Sequence, residues 1–431
     1  MSIRSKRLFN LVRRSASVAV CASTVVAAAD AAFAGTLGTI FVIDMENHNF
    51  TQPASDISAP NQIFGNAAAA FQNSLITPGN LNAVQTAFAS AYHNVLATPS
   101  GNNPSIHPSE PNYIWQEAGS NFGILNDNLP FGANGTELPA GTQSLSGLLQ
   151  ASGISWKSYQ EDIDLGKNGS NQMTSNVLPQ NQWTVPLNNI SGTSPAYTNP
   201  YNGSNQFNFA PKHDGQLFFP STSGGNNATP SNTEVAHYAP LQQLATDLAN
   251  NTTAAYNLIT PDQFNDSHTA LTNGFTYNGV HYTSDQAAIA QGDNFLSIIV
   301  PQIMASQAYQ NNGAIFIWWD ETEGSNANDF SHTLEEIVIS PLAKGNAFNS
   351  TLNYTHSSDL KTMEELFGVY AAGGGFLGDA NSPGTNDLAD LFVAGAISTP
   401  EPPALAVWLL VAGAIGAGWI RQRPRQIAPM T

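Results

Sequence analysis

Apolar runs recur along this chain and most are bounded by turn residues. Residues 40–47 and 315–321 each begin apolar on both faces of an extended backbone and stop on carboxylates, the pattern of strands covered on both sides, usually in a parallel sheet. The first such strand is expected at about 38–44, and others over 154–159, 254–260, 314–319 and 334–339. The stretch 61–88 is Ala-rich and reads as partly helical. Helices are also expected over 111–120, 143–151, 292–310 and 358–367. In the long 292–310 segment, Phe295, Ile298, Ile299 and Ile303 share one face. Strands alternating with helices predict an α/β three-layer sandwich with a largely parallel central sheet. Residues 160–235 are rich in Asn, Gly, Ser, Thr and Pro and read as an irregular insertion or cap.

Two of the apolar runs end on carboxylates: Asp44 and Glu46 with Asn47 after the first, Asp320 and Glu321 after the other. Ligands of open α/β sheets bind beyond the carboxyl ends of the strands. Acidic ends about 270 residues apart in sequence can therefore meet in one cleft. Adjacent carboxylates repel unless a cation lies between them. The pair points to a metal site and a hydrolase.

Composition narrows the chemistry. The formal net charge is −18, yet eight of the thirteen basic residues lie between 4 and 14 or between 421 and 425. The stretch 35–398 keeps five Lys, no Arg and 29 Asp or Glu, a formal net of −24. Such a chain repels nucleic acid and anionic membrane surfaces. It also lacks the guanidinium fork that commonly grips phosphate. A phosphate ester would be held by metal, backbone N–H groups, His and the few Lys.

The termini read as addresses. Residues 1–34 combine a basic start, an apolar small-residue stretch and Ala32-Phe33-Ala34, the form of a secretory signal peptide; an N-terminal anchor is the alternative. The sole cysteine, Cys21, lies in that leader. Residues 399–431 carry Pro400-Glu401-Pro402, an apolar run over 404–420 at the short limit for a bilayer, and then Arg421, Arg423 and Arg425. This tail resembles the bacterial PEP-CTERM sorting signal. The resemblance implies export and processing by an exosortase-type enzyme, ending in the periplasm, outer surface or matrix of a bacterium with an outer membrane. Membrane contact is then expected only through the C-terminal segment, whose alternative is an ordinary anchor. The stretch 35–398 reads as one domain between these ends.

Four further motifs carry candidate chemistry. In His107-Pro-Ser109-Glu-Pro-Asn112, a Ser stands where a loop turns into a helix, whose N–H groups favour a phosphate. Ser109 reads equally as a nucleophile activated by a base or metal and as a helix N-cap. Asn265-Asp266-Ser-His268 follows a strand and reads either as a ligand or orienting pair or as a local turn. His332 and His356 stand at junctions before the strand at 334 and the helix at 358, and His is the natural proton donor near neutral pH. Lys212-His213 is a weaker candidate for a cationic, substrate-facing patch, and His48 has no supporting context in the sequence.

Taken in order, these motifs resemble the bacterial phosphoesterase family of acid phosphatases and phospholipases C. The matching residues are Glu46-Asn47-His-Asn-Phe50, His107 to Tyr113, Trp156-Lys-Ser-Tyr159, Lys212-His213, Asn265 to His268, Gly292-Asp293, Trp319-Asp320-Glu321, Ile339-Ser-Pro341 and His356 to Glu364. They run from about 40 to 370 in the family's order. The resemblance implies an alkaline-phosphatase-like fold. Glu46, Asn47, Ser109, Asp320 and Glu321 would hold a divalent metal. Ser109 would form a phosphoserine, Asn112 would steady a phosphoryl oxygen, and His107, His268, His332 and His356 would be pocket histidines. Thr51 and Ser357 depart from the family's usual residues and blur the substrate. Hard oxygen ligands suit Ca, Mg or Mn, with Zn or Fe as further options. The expectation is a metal-dependent phosphomonoesterase. A phospholipase C-type diesterase and a non-catalytic surface or matrix protein on the same fold are the alternatives.

Overall fold

Ile40–Met45 (β1), Tyr256–Thr260 (β9) and Ala314–Trp319 (β12) are buried at every position; the apolar runs of β1 and β12 require it, whereas β9 also buries Asn257 and Thr260. A computed structural model describes residues 36–55, 62–94, 106–132, 134–323 and 331–397. Within it β1 lies between β12 and β9, parallel to both. Trp156–Gln160 (β3) continues parallel to β9, and Tyr238–Pro240 (β8) parallel to β3. On the other side, Leu334–Ile339 (β13) runs antiparallel to β12 and to Thr86–His93 (β2). Phe348–Ser350 (β14) and Tyr354–Thr355 (β15) pair with β2 in parallel. The result is a nine-stranded sheet in which β13 is the one reversed strand, so the largely parallel expectation holds.

Helices cover both faces. Side chains alternate across a strand, and at the end of β1 Asp44 meets Gln116 while Met45 abuts Gly292. The first face carries α2 (Ser109–Ala118), α3 (Leu145–Ala151) and α6 (His356–Phe367), which pack on one another. The opposite face carries α5 (Asp285–Met304) and the short α1 (Ala70–Leu75). The carboxylate of Asp293 on α5 accepts from the N–H groups of Phe71 and Gln72 at 2.8 Å each, anchoring α1. An α4 helix follows β8 over Gln242–Asn250.

Three expectations are corrected. Residues 86–88 are not helical; they begin β2, whose register with β13 is fixed by long-range pairing. The long helix starts earlier than expected, at Asp285, and ends at Met304. Its buried stripe uses Leu296 and Val300 beside Phe295, Ile299 and Ile303, whereas Ile298 is 40% exposed. The region 160–235 is irregular as expected but holds two hairpins, Leu165–Lys167 (β4) with Met173–Val177 (β5) and Ile190–Thr193 (β6) with Gln206–Phe209 (β7). A third small hairpin pairs Phe275–Tyr277 (β10) with Val280–Tyr282 (β11).

The described residues belong to one compact unit that begins at Thr36. Among them, no helix is long and apolar enough to cross a membrane. The expected signal peptide, 1–34, and sorting tail, 399–431, lie outside the described residues.

Candidate active site

The parallel register sets Met45 beside Trp319, so Glu46 and Asp320 leave the sheet side by side. The N–H of Asp320 donates to the Met45 carbonyl at 3.1 Å, and that of Glu46 to the Asp266 carbonyl at 2.8 Å. Asn47 then turns the chain with φ 56°, a left-handed conformation that Asn tolerates better than most residues. In that turn its N–H donates to Asp320 Oδ1 and its Nδ2 to Glu46 Oε2, each at 3.0 Å. Three strand ends, those of β1, β9 and β12, thus meet at one point.

Helix α2 points its first turns at this point. Pro108 is the residue before the helix and Ser109 is its first member, so the N-cap reading of Ser109 does not hold. Its Oγ donates instead to Glu46 Oε2 at 3.0 Å and also lies against Asp320. One turn on, Tyr113 donates from its hydroxyl to Glu46 Oε1 at 2.6 Å, since positions i and i+4 share a helix face. Asn112 donates from Nδ2 to Glu321 Oε2 at 3.1 Å, and His107 Nδ1 lies 3.1 Å from the same oxygen.

A third side is closed by His213 and the loop after β9. Gly215 permits this: a Cβ there would sit 2.2 Å from the Tyr113 carbonyl, so only Gly lets the Lys212–His213 turn press against α2. The His213 ring stacks on Tyr113 at 5.2 Å and places Nε2 3.4 Å from Glu46 Oε1 and Nδ1 3.7 Å from Asp266 Oδ2. Gly292 does the same for the Asp266 loop, where a Cβ would fall 1.9 Å from Ser267 Oγ. Asp266 makes the local turn of its motif and also faces His213. Its Oδ1 accepts the N–H of His268 at 2.7 Å in a local turn, while its Oδ2 faces His213.

The electrostatics are those of a cation site. Burial raises the carboxyl groups of Glu46, Asp320 and Asp266 well above their ordinary range, and their mutual repulsion adds to it. Burial also raises Glu321, with His107 opposing. Burial drives His213 well down, and Lys212 and His268 push the same way, so its ring is neutral and a competent ligand. Asp320 Oδ2, Asp266 Oδ2 and His213 Nε2 are buried without a hydrogen-bond partner. Glu46, His213 and Asp266 each offer a ligand atom within 4.8 Å of the others. Four buried carboxylates, orphaned donor atoms and a neutral imidazole fit a divalent ion. The residues that could hold such an ion include His213 and Asp266, for which the sequence alone suggests a substrate-facing patch and an open choice between ligand and turn.

Above this floor opens a cleft of about 380 Å³ lined by Asn47, His48, His107, His268, Asp285, Glu321, Thr322 and Glu323. Of the four candidate histidines, His107 and His268 line it. Burial lowers His268 to about 4, and Lys212 adds to the shift. His356 does not line the cleft. It is fully buried at the start of α6, 4.7 Å from the Trp318 ring, with Nε2 3.2 Å from the Trp319 carbonyl. Burial lowers it to about 3, and its geometry is that of a brace behind β12. His332 is buried just before β13, beside Thr333, which bridges to Thr51, and it does not line the cleft either. Lys212 forms an ion pair with Asp127.

Two contributors escaped the sequence reading. Tyr113 stands at i+4 from Ser109, a spacing that signals a shared helix face. His48 holds Glu46 from behind, with Nδ1 3.1 Å from the Glu46 carbonyl and Nε2 3.2 Å from Asp285 Oδ1. That partner is 237 residues away, so no local pattern marks it.

A hydroxyl at a helix start, against two buried carboxylates at adjoining strand ends and under a histidine-lined cleft, is the apparatus of a hydrolase of phosphoester bonds. The chain belongs to the phosphoesterase family, whose sequence profile matches residues 102–370. It is 24% identical over 311 residues to a phosphatidylinositol-3-phosphatase of Mycobacterium tuberculosis, covering 72% of this chain and 74% of that protein. It is 28% identical over 166 residues to an acid phosphatase of Aspergillus fumigatus, covering 38% of this chain and 28% of the fungal protein. Among solved structures it is similar to a Vibrio parahaemolyticus protein of the alkaline phosphatase superfamily, with TM-score 0.41, 9% identity, and 78% and 68% of the two chains covered.

Proposed function

We propose that this protein is an exported, metal-dependent phosphomonoesterase that works through a phosphoserine at Ser109. The observation that carries the reading is Ser109 Oγ, 2% exposed at the first position of α2 and 3.0 Å from Glu46 Oε2. Glu46, Asn47, Asp320 and Glu321, joined by Ser109, His213 and Asp266, would hold the divalent ion. Such an ion lowers the pKa of a hydroxyl and offsets phosphate charge, which matters in a domain with no Arg. Ser109 Oγ forms the new bond to phosphorus as the bond to the leaving alcohol breaks. Its proton departs toward Glu46 Oε2, to which it already donates. Of the two candidate histidines that line the cleft, His107, which burial pulls down but Glu321 raises on balance, gives the leaving oxygen its proton, and water then cleaves the phosphoserine and restores Ser109. Asn112, held on Glu321, has its buried Oδ1 unpartnered and its Nδ2 at the edge of the site. Both Nδ2 hydrogens are committed, one to the Ile106 carbonyl at 2.9 Å and one to Glu321 Oε2, so steadying a phosphoryl oxygen would draw one of these donors away from its present partner.

The named phosphatase relatives support the monoester preference. Export is proposed from the leader and tail sequences. The test is a comparison of p-nitrophenyl phosphate with a bis(p-nitrophenyl) diester and with phosphatidylcholine. Monoester turnover at least ~10²-fold above both is expected, a ratio set by transition-state fit; equal or faster diester cleavage would replace the reading with the phospholipase C-type one.

Tyr113 is a positioning residue here. Tyr113→Phe removes the hydroxyl that orients Glu46. The metal concentration for half-maximal activity should rise ~10–100-fold, as for other groups that hydrogen-bond metal ligands. Saturating metal should restore most of kcat, a recovery that a folding defect would not give.

A further inference from the structure

We propose that Glu161, Asp162 and Asp262 form a structural site for a hard divalent cation of the Ca²⁺ class. It would tie the Asn/Gly-rich insertion to the sheet, apart from the cleft. Glu161 and Asp162 follow β3 directly and Asp262 follows β9, its parallel neighbour. All three are 0% exposed, and one carboxylate oxygen of each lies within 4.8 Å of the others.

The surroundings are built for ionised carboxylates. Glu161 accepts from Asn199 Nδ2 at 2.7 Å, Asn265 Nδ2 at 2.8 Å and the Asp262 N–H at 2.9 Å. Asp162 accepts from the Tyr197 hydroxyl at 2.5 Å and the Asn208 N–H at 3.1 Å. Asp262 Oδ1 accepts from the N–H groups of Phe264 and Asn265 at 3.1 and 3.0 Å. Among the described residues these donors to the three carboxylates are all neutral. These dipoles favour the charged forms but supply no countercharge. Asp262 Oδ2 is buried without an N–H donor, and its carboxyl group lies within hydrogen-bond reach of the Asp162 carboxylate. Uncompensated charges are not left in such a place. A shared proton or a cation must fill it, and oxygen ligands of this density and charge suit Ca²⁺. Burial and mutual repulsion raise both Glu161 and Asp262, which a bound cation would reverse.

The position explains what the ion would do. Tyr197 and Asn199 belong to the insertion. Asn265 stands beside Asp266, whose carbonyl receives the Glu46 N–H. One ion would therefore fasten three segments at the sheet's carboxyl edge.

The test uses the full chain, stripped with chelator and titrated with Ca²⁺ alone. Bound ions per chain and Tm are read for the wild type, Asp262→Asn and the cleft variant Asp320→Asn. The expected result is that Asp262→Asn loses one Ca²⁺ per chain and at least half of the Ca²⁺-induced rise in Tm. Asp320→Asn should keep that ion. Should Asp262→Asn not fold, Tb³⁺ luminescence in the Asp320→Asn protein gives the answer. Tyr197 should sensitise it and Ca²⁺ should quench it. Unchanged Ca²⁺ binding in Asp262→Asn, or no Ca²⁺-displaceable Tb³⁺ signal in Asp320→Asn, overturns the site and leaves a proton-sharing carboxyl pair in its place.

Discussion

Ser109→Ala should lower kcat for p-nitrophenyl phosphate by at least ~10³-fold, the scale on which loss of a covalent nucleophile is felt. The fold should survive. Ser109 contributes one hydroxyl donor to Glu46 Oε2, and Asn47 Nδ2 still donates to that oxygen in the variant. Loss of a single hydrogen bond of this kind costs about 1 kcal/mol. Two measurements belong together here: steady-state rates, and trapping of phosphate on the protein by acid quench of a rapid reaction. Phosphorylated wild type and unlabelled variant are expected. A variant that turns over at the wild-type rate removes Ser109 from the mechanism.

Asp320→Asn carries the second large effect, with opposite signs for activity and stability. Activity should fall ~10²–10³-fold, the range for removing a principal electrostatic contributor. Asn keeps the oxygen that accepts from the Asn47 N–H, so the change is mainly one of charge. In chelator, the variant should melt at a higher temperature than the wild type. The sign follows from Asp320's carboxyl, which burial and Glu321 raise well above its ordinary value. A carboxyl raised on folding destabilises the folded state above its unfolded pKa, and the penalty grows until the folded pKa is passed. The melting difference should therefore be near zero below about pH 3, where Asp is protonated in both states. It should widen toward neutral pH. Saturating metal should narrow or reverse it, because only the wild type binds the ion fully. A variant that is less stable than the wild type in chelator at neutral pH would mean that Asp320 is compensated without metal.

How much of this was legible beforehand differs by element. The strands β1 and β12 were plain, because burial on both faces leaves an apolar run that only Asp44, near the end of β1, interrupts. β2 was not. Its sequence, Thr-Ala-Phe-Ala-Ser-Ala-Tyr-His, has the Ala content of a helix, and only pairing with β13, some 240 residues later, makes it a strand. The candidate site divides the same way. Glu46, Asn47, Asp320 and Glu321 announce themselves at strand ends. Asp262, Glu161 and His48 acquire meaning only from partners about 100 to 240 residues away. His356 stood at a junction that suits a catalytic group, but its ring turns inward under Trp318. Sequence position gave the junction, and packing decided the direction.

The central place of β1 has a consequence for the chain's birth. Its two neighbours are β9, beginning at Tyr256, and β12, beginning at Ala314. At ~5–20 residues per second of synthesis, β1 waits about 10–40 s for the first of them and longer for the second. During that interval both edges of an almost wholly apolar strand lack their native partners, the condition under which strands pair with the wrong chain. Keeping residues 40–45 apart from other chains until the last third of the polypeptide exists should therefore raise the yield of folded protein. A yield that rises when a holdase is supplied early in synthesis, and not after release, is the behaviour this topology dictates.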